Sequence, residues 1–250
     1  MTELDWIKLY KQFEKPTNKM KFYAGNGAKS LDTKIGGVPW WPANVERPKC
    51  KQGHYMSFIS QINLKDWPDN QNRVGVVSFH YCIQCQHDGD MAFGWYYDQN
   101  KNYDIRVFSD ISVAPDELGA MGLNVPEQTP AFEAIIEIPD VNDLPQEIAS
   151  ILPDEFFEFI PPDYDEFSII QSDYVWHNLK HVHGSKVGGY PTWVQDSEWP
   201  LGANGQNMKF LTQLDSIVGE IASWANGTAF LFIDEDENGN LVAEMGLQHS

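Results

Sequence analysis

The segment Lys34-Ile-Gly-Gly-Val-Pro-Trp-Trp41 returns 152 residues later as Lys186-Val-Gly-Gly-Tyr-Pro-Thr-Trp193. At the same offset, without a gap, Glu46-Arg-Pro48 meets Glu198-Trp-Pro200, and Gly53-His-Tyr-Met-Ser-Phe-Ile-Ser-Gln61 meets Gly205-Gln-Asn-Met-Lys-Phe-Leu-Thr-Gln213. Eleven of the 28 positions from Lys34 to Gln61 are identical. Register kept across two turns and a strand marks an internal duplication, and it constrains the fold strongly, because what one copy builds the other must build as well.

Each copy reads physically in the same way. The adjacent glycines Gly36-Gly37 and Gly188-Gly189 permit backbone angles closed to other residues, and the proline two positions on stiffens the approach. In Met56–Ile62 and Met208–Leu214 large apolar residues alternate with polar ones, as in a half-buried strand. A second apolar strand follows in each copy, Val74–His80 and Thr228–Ile233, so the unit is turn, strand, connection, strand. Phe132–Ile138 predicts a further strand. Leu4, Ile7, Tyr10 and Phe13 fall at helical spacing, and Asp143–Leu152 predicts a short helix with Asp143 as its cap. The expected class is therefore α+β, strand-dominated, a β-rich unit built twice with a few peripheral helices. Residues 1–29 form a helix and lead-in, 30–152 the first copy, 153–175 an acidic linker broken by Pro161-Pro162, and 176–250 the second copy.

Nine tryptophans among 13% aromatic and 42% apolar residues give too much burial potential for a disordered acidic chain. The start lacks an export signal and no run is long and apolar enough to span a bilayer, which predicts a cytoplasmic protein with reduced thiols. The formal charge of −19 lies entirely in one half. Residues 1–125 hold 14 basic and 14 acidic side chains, whereas 126–250 hold 3 and 22. Such a half repels nucleic acid and anionic membrane, and attracts a basic protein. Its densest stretch interleaves Asp154, Glu155, Glu158, Asp163, Asp165 and Glu166 with aromatic residues, the pattern of a contact surface for a basic partner or of an interdomain packing segment with solvated acids. Residues 1–51, with ten basic and five acidic side chains, offer an internal alternative that neutralises part of this surface.

Cys50-Lys-Gln-Gly-His54 and Cys82-Ile-Gln-Cys85 form the most pointed chemical constellation. A C-x-x-C pair on a turn supplies two tetrahedral zinc ligands, and Cys50 with His54 would close the site; His80 and His87 are alternative fourth ligands, and three reduced thiols without metal are the other reading. The second copy has Gly202-Ala-Asn-Gly205 at the equivalent place and holds no such ligands. Asp234-Glu-Asp-Glu-Asn-Gly239 imitates a calcium loop, but Met245 stands where the bidentate glutamate belongs, so a hairpin turn is the better reading. His177, His181 and His183 lack a completing ligand by spacing. Trp41 and Trp193 hold matching places in the repeat, which points first to packing.

The Lys-Ile-Gly-Gly-x-Pro-x-x-Pro motif, the Gly-x-x-Met-x-Phe-x-x-Gln strand and the second Lys-Val-Gly-Gly-Tyr-Pro together resemble the YwqG-like family, over roughly residues 30 to 235. A more distant similarity reaches the programmed-cell-death-protein-2 group. The resemblance implies a duplicated β-rich fold and no catalytic residues. It also implies binding roles, an immunity protein that neutralises a toxin or an escort for a basic client. The function expected from these features is a non-enzymatic module whose acidic half binds a basic protein. The rival is a small-ligand binder or enzyme with a site between the copies, around Gln61 and Gln213.

Overall fold

A computed structural model describes residues 11–25, 30–43, 45–70, 72–82, 84, 103–113, 115, 125–139, 150, 182–215 and 227–249. These build ten strands: β1 (Lys15–Ala24), β2 (Lys34–Ile35), β3 (Ser57–Asn63), β4 (Val76–Tyr81), β5 (Tyr103–Phe108), β6 (Gln128–Glu137), β7 (Lys186–Gly188), β8 (Lys209–Asp215), β9 (Gly227–Glu235) and β10 (Leu241–His249). All lie in one antiparallel sheet in the order β10-β9-β8-β7-β1-β6-β2-β3-β4-β5, and the outer strands β10 and β5 approach one another, so the sheet is nearly closed like a barrel.

The expectation of an α+β class is overturned. The helical element that the described residues form is a single 3-10 turn, Leu64–Asp66. The helices anticipated over 4–13 and 143–152 fall almost wholly outside the described residues, as does the acidic linker over 154–166. A curled sheet covers its own concave face, so the apolar residues need no helical layer. Ile59, Ile62, Val77, Phe79 and Tyr81 from the first copy meet Leu211, Leu214, Ala229, Leu231 and Ile233 from the second in one cluster. The approach of β10 to β5 brings the two edges of the sheet together, although they do not pair, and so shields them from other chains.

The duplication is exact in register. Lys34 pairs with Gln61 and Lys186 with Gln213; Ser57 faces Tyr81 and Lys209 faces Ile233. Even the irregularity after Phe58 recurs after Phe210. The sheet order shows one exchange. β1, which precedes the first copy, pairs with β7 of the second, and β6, which precedes the second copy, pairs with β2 of the first. β1 and β6 then pair with each other along ten residues, from Lys15 opposite Glu137 to Ala24 opposite Gln128. The molecule is thus two four-stranded halves joined through a crossed central pair.

Candidate functional site

On the convex side of each half, the segment between the Gly-Gly turn and the long strand folds back as a small hairpin. In the first copy the Cys50 amide donates to the His54 carbonyl at 2.9 Å, Gly53 to Cys50 at 2.9 Å and Met56 to Pro48 at 3.0 Å. In the second, Gly202 donates to Gln206 at 2.8 Å, Gly205 to Gly202 at 2.9 Å and Met208 to Pro200 at 2.8 Å. Gly53 and Gly205 take the left-handed conformation, φ 85° and 75°, that a side chain would strain. The turn therefore needs only glycine and an unpaired edge, and leaves its remaining side chains free to differ.

In the first copy they converge. Cys50 heads the turn, His54 closes it, and Cys82 leaves β4 directly below. One ligand atom from each lies within 4.8 Å of the others. Cys50 and Cys82 are buried and in no disulfide, and they share an apolar cluster with Met56, while His54 is half-buried and reaches toward solvent. Two sulfurs and an imidazole at this separation suit a borderline-soft divalent ion. Cys85, the second cysteine of the C-x-x-C pair, and His87 lie outside the described residues.

The face beneath the turn is polar in one copy and aromatic in the other. On β4 the Ser78 hydroxyl lies 2.8 Å from His80 Nε2, and both residues are fully buried. His80 Nδ1 has no hydrogen-bond partner among the described residues. Trp41 covers the imidazole edge-on at 5.1 Å, and Phe58 flanks it at 5.6 Å. Burial, and secondarily the charge of Arg106, lowers the His80 pKa to about 3, so the ring is neutral. In register, Ser78, His80 and Cys82 correspond to Phe230, Phe232 and Asp234. There Phe210, Phe230 and Phe232 pack with Met208, Trp193 and Trp199, and the Asp234 carboxylate fills the space that a side chain at Gly202 would need. Trp41 and Trp193 are thus packing residues, as their matched places suggested.

The glutamines of the repeat hold loops. Gln61 Oε1 accepts from the Trp40 amide at 2.7 Å while Nε2 donates to the Ser30 and Asp32 carbonyls at 2.9 and 2.8 Å. Gln213 Oε1 accepts from the Thr192 amide at 2.8 Å and its Nε2 donates to Gly184 at 3.1 Å. Their amides, the focus of the anticipated site between copies, are engaged in anchoring each Gly-Gly turn. Both glycines of each turn are left-handed, with φ of 63° and 72° in the first and 79° and 75° in the second.

The sequence reading missed a buried network at the second turn. Lys186 Nζ meets Glu137 Oε1 at 2.6 Å, with 0% and 1% of the two side chains exposed. Glu137 also accepts from Thr17 Oγ1 and from the Val182 and Tyr190 amides, and Lys186 donates to Thr192 Oγ1. Burial lowers the Lys186 pKa, and the Glu137 charge opposes that shift. The repeated Lys186 was visible as a repeat position, but Glu137 has no repeat to mark it. At the first turn the matching Lys34 lies 3.5 Å from Glu127, which is partly exposed.

The other expected sites resolve as follows. Asp154, Glu155, Glu158, Asp163, Asp165 and Glu166 lie outside the described residues, with His177 and His181, while His183 is exposed. Asp234–Asn240 is a hairpin turn between β9 and β10: Asp236 accepts from the Asn240 side-chain Nδ2 at 3.0 Å and from the Asn240 and Asn238 backbone amides at 2.8 Å, which lowers its pKa, and Gly239 has φ 78°. Part of the acidic surface is met internally, by Lys34 at Glu127 and by Arg73, 2.7 Å from Glu235. Around the second turn Asp196 and Glu198 remain exposed beside Leu201 and Val194, and burial together with the Asp196 charge raises the Glu198 pKa. The first turn carries Arg47, Lys49 and Lys51 instead. No described helix is long and apolar enough to cross a membrane.

Residues 33–184 and 185–244 each match the family described as Domain of unknown function (DUF1963), and the chain belongs to that family. The two matches adjoin next to Lys186, where the repeated Lys-x-Gly-Gly motif recurs. No curated protein matches the chain.

Proposed function

Starting from a family whose description assigns no activity, we propose that this protein is a non-enzymatic binding module whose acidic C-terminal half captures a basic protein, in an immunity-like or escort-like role of the kind implied by its YwqG-like resemblance. The observation that carries this reading is the confinement of the whole −19 to residues 126–250. Steering by a one-signed field raises encounter rates with an oppositely charged partner and weakens with salt. The described part of that half contributes exposed carboxylates at Asp196, Glu198 and Glu237, with Leu201 and Val194 as apolar contacts beside the second turn. Pull-down from the native host in low and high salt is the test. A basic protein retained in low salt and released in high salt is the expected result, and failure to retain any basic protein in low salt overturns the reading.

A second reading rests on the convergence of Cys50, His54 and Cys82: a structural zinc ion, with Cys85 as the fourth ligand at C-x-x-C spacing. The first hairpin lacks the Phe230 and Phe232 anchors of the second, and a metal would supply the missing attachment. Metal analysis after zinc-supplemented expression should give about one ion per chain if this holds. A content near zero rules it out. The rival class, a small-ligand site between the copies, would need polar groups that converge on a cavity. Gln61 and Gln213 support it poorly, because their amides hold the loops.

A further inference from the structure

The metal reading uses the thiols of Cys50 and Cys82 as ligands, and the same geometry allows these two side chains a covalent alternative. Their sulfurs lie within 4.8 Å, both buried in the cluster with Met56, one at the head of a turn and the other at the end of β4. A disulfide requires about 2.05 Å between sulfurs. The gap closes when the turn that carries Cys50 moves toward β4. His54, the half-exposed member of the trio, places a ring nitrogen within 4.8 Å of both sulfurs.

We propose that Cys50 and Cys82 are a reversible modification site, oxidised by a peroxide to a disulfide that fastens the first hairpin to β4 and excludes a metal ion from the same sulfurs. In the first step the Cys50 sulfur, the less buried of the two, attacks hydrogen peroxide. The O–O bond breaks, one oxygen stays as a sulfenic acid, and the other leaves as water with the thiol proton. In the second, the Cys82 sulfur attacks the sulfenic sulfur; the S–O bond breaks and a second water carries away the hydroxyl and the Cys82 proton. Two thiols are oxidised by two electrons in total, and one peroxide is reduced to two waters. A dithiol reductant reverses the bond.

The nearest competitor in sequence is Cys85, which forms a C-x-x-C pair with Cys82 and could take the bond instead. Metal-free full-length protein treated with equimolar hydrogen peroxide, then digested without reduction and mapped by mass spectrometry, separates the two. The expected result is a species lighter by two hydrogens, with the peptide of Cys50 joined to the peptide of Cys82 as the main cross-link. The cross-link should persist in Cys85→Ser, vanish in Cys50→Ser and disappear on reduction. A main product joined through Cys85, or sulfinic acid without any cross-link, overturns the proposal. Because the wild-type mapping decides the matter, a variant that fails to fold does not obscure it. A parallel arm loads the protein with zinc before the peroxide and follows the ion with a chromogenic chelator. Cross-linking of the metal-free protein without any zinc uptake in the loaded arm removes the metal reading and leaves the disulfide; zinc uptake with no cross-link in the metal-free arm does the reverse.

Discussion

The hairpins over residues 48–56 and 200–208 share their three backbone hydrogen bonds and their left-handed glycine, yet they are fastened to the sheet by opposite means. The second sits on an aromatic cluster of Trp193, Trp199, Phe230 and Phe232, in which the two indole nitrogens find no hydrogen-bond partner among the described residues. The first sits over Ser78, a neutral His80 whose Nδ1 likewise finds none among them, and two buried thiols. Polar groups taken from water cost free energy unless something meets them. A duplicated scaffold therefore separates what the backbone requires from what the side chains add, and here the additions fall on one copy. The deep ion pair is divided in the opposite sense. Lys186–Glu137 is fully buried with every partner in place, while Lys34–Glu127 is long and partly exposed.

That contrast can be broken most sharply at the ion pairs. Glu137→Ala should destabilise by about 3–5 kcal/mol, because it leaves the Lys186 charge buried and unpaired. Glu127→Ala should cost less, about 1–2 kcal/mol: Lys34 is buried too, but its partner lies at 3.5 Å and is partly exposed, so the lost contact is weaker. Urea denaturation reads both, and equal losses would erase the asymmetry. Phe232→Ala, which empties the aromatic anchor of the second hairpin, should cost about 3–4 kcal/mol whether or not metal is present.

Zinc should act on the first hairpin alone. An excess of about 100-fold over Kd should stabilise the wild type by about 2.7 kcal/mol and raise its Tm, with no effect on Cys82→Ser. A Tm rise of the same size in Cys82→Ser would place the ion elsewhere.

The smallest expected effect concerns Asp66, in the connection between β3 and β4 of the first copy. It accepts from Thr33 Oγ1 at 2.6 Å, and burial raises its pKa above 3.8 despite that bond. A raised folded-state value means that the folded form holds the proton more tightly than the unfolded chain. Its contribution is fully present below the unfolded pKa and is lost as pH rises through the raised one. Asp66→Asn, uncharged at every pH like the protonated acid, should remove this pH dependence, with an effect of less than about 1 kcal/mol. Unfolding of both proteins from pH 3 to 7 should show the wild type losing stability relative to the variant as the pH rises, and parallel curves would refute the assignment.

The sequence disclosed those parts of the fold that are written locally. Gly36-Gly37 and Gly188-Gly189 announce left-handed turns because few other residues tolerate them, and the strand around Phe58 and Phe210 shows its alternation. β1 lies in the segment expected as a helix and lead-in, although Met20 and Phe22 alternate with Lys19 and Lys21 as in a strand. Its partners are not local at all: nothing in Lys15–Ala24 says that it joins β7 on one side and β6 on the other. The expected helical layer failed for a related reason, since curling of a sheet is a property of all its strands together. At the site, Cys50, His54 and Cys82 were legible from ligand chemistry and spacing. Glu137 was not, because its role depends on four partners, Thr17, Val182, Lys186 and Tyr190, that only the fold assembles.

The crossed pair of β1 and β6 has a consequence for how such a molecule can be divided. Each half borrows the strand beside its Gly-Gly turn from the chain that leads into the other half. A fragment that begins at residue 125 carries β6 through β10 but lacks the neighbour for β7, and a fragment that ends before residue 125 lacks the neighbour for β2. Either piece, expressed alone, would find its missing strand most readily in a second molecule of itself, and would assemble as a two-fold dimer in which each chain lends its first strand to the other. The intact chain has the form that results when two such subunits are joined end to end: an exchange between equals, made permanent by a single peptide backbone.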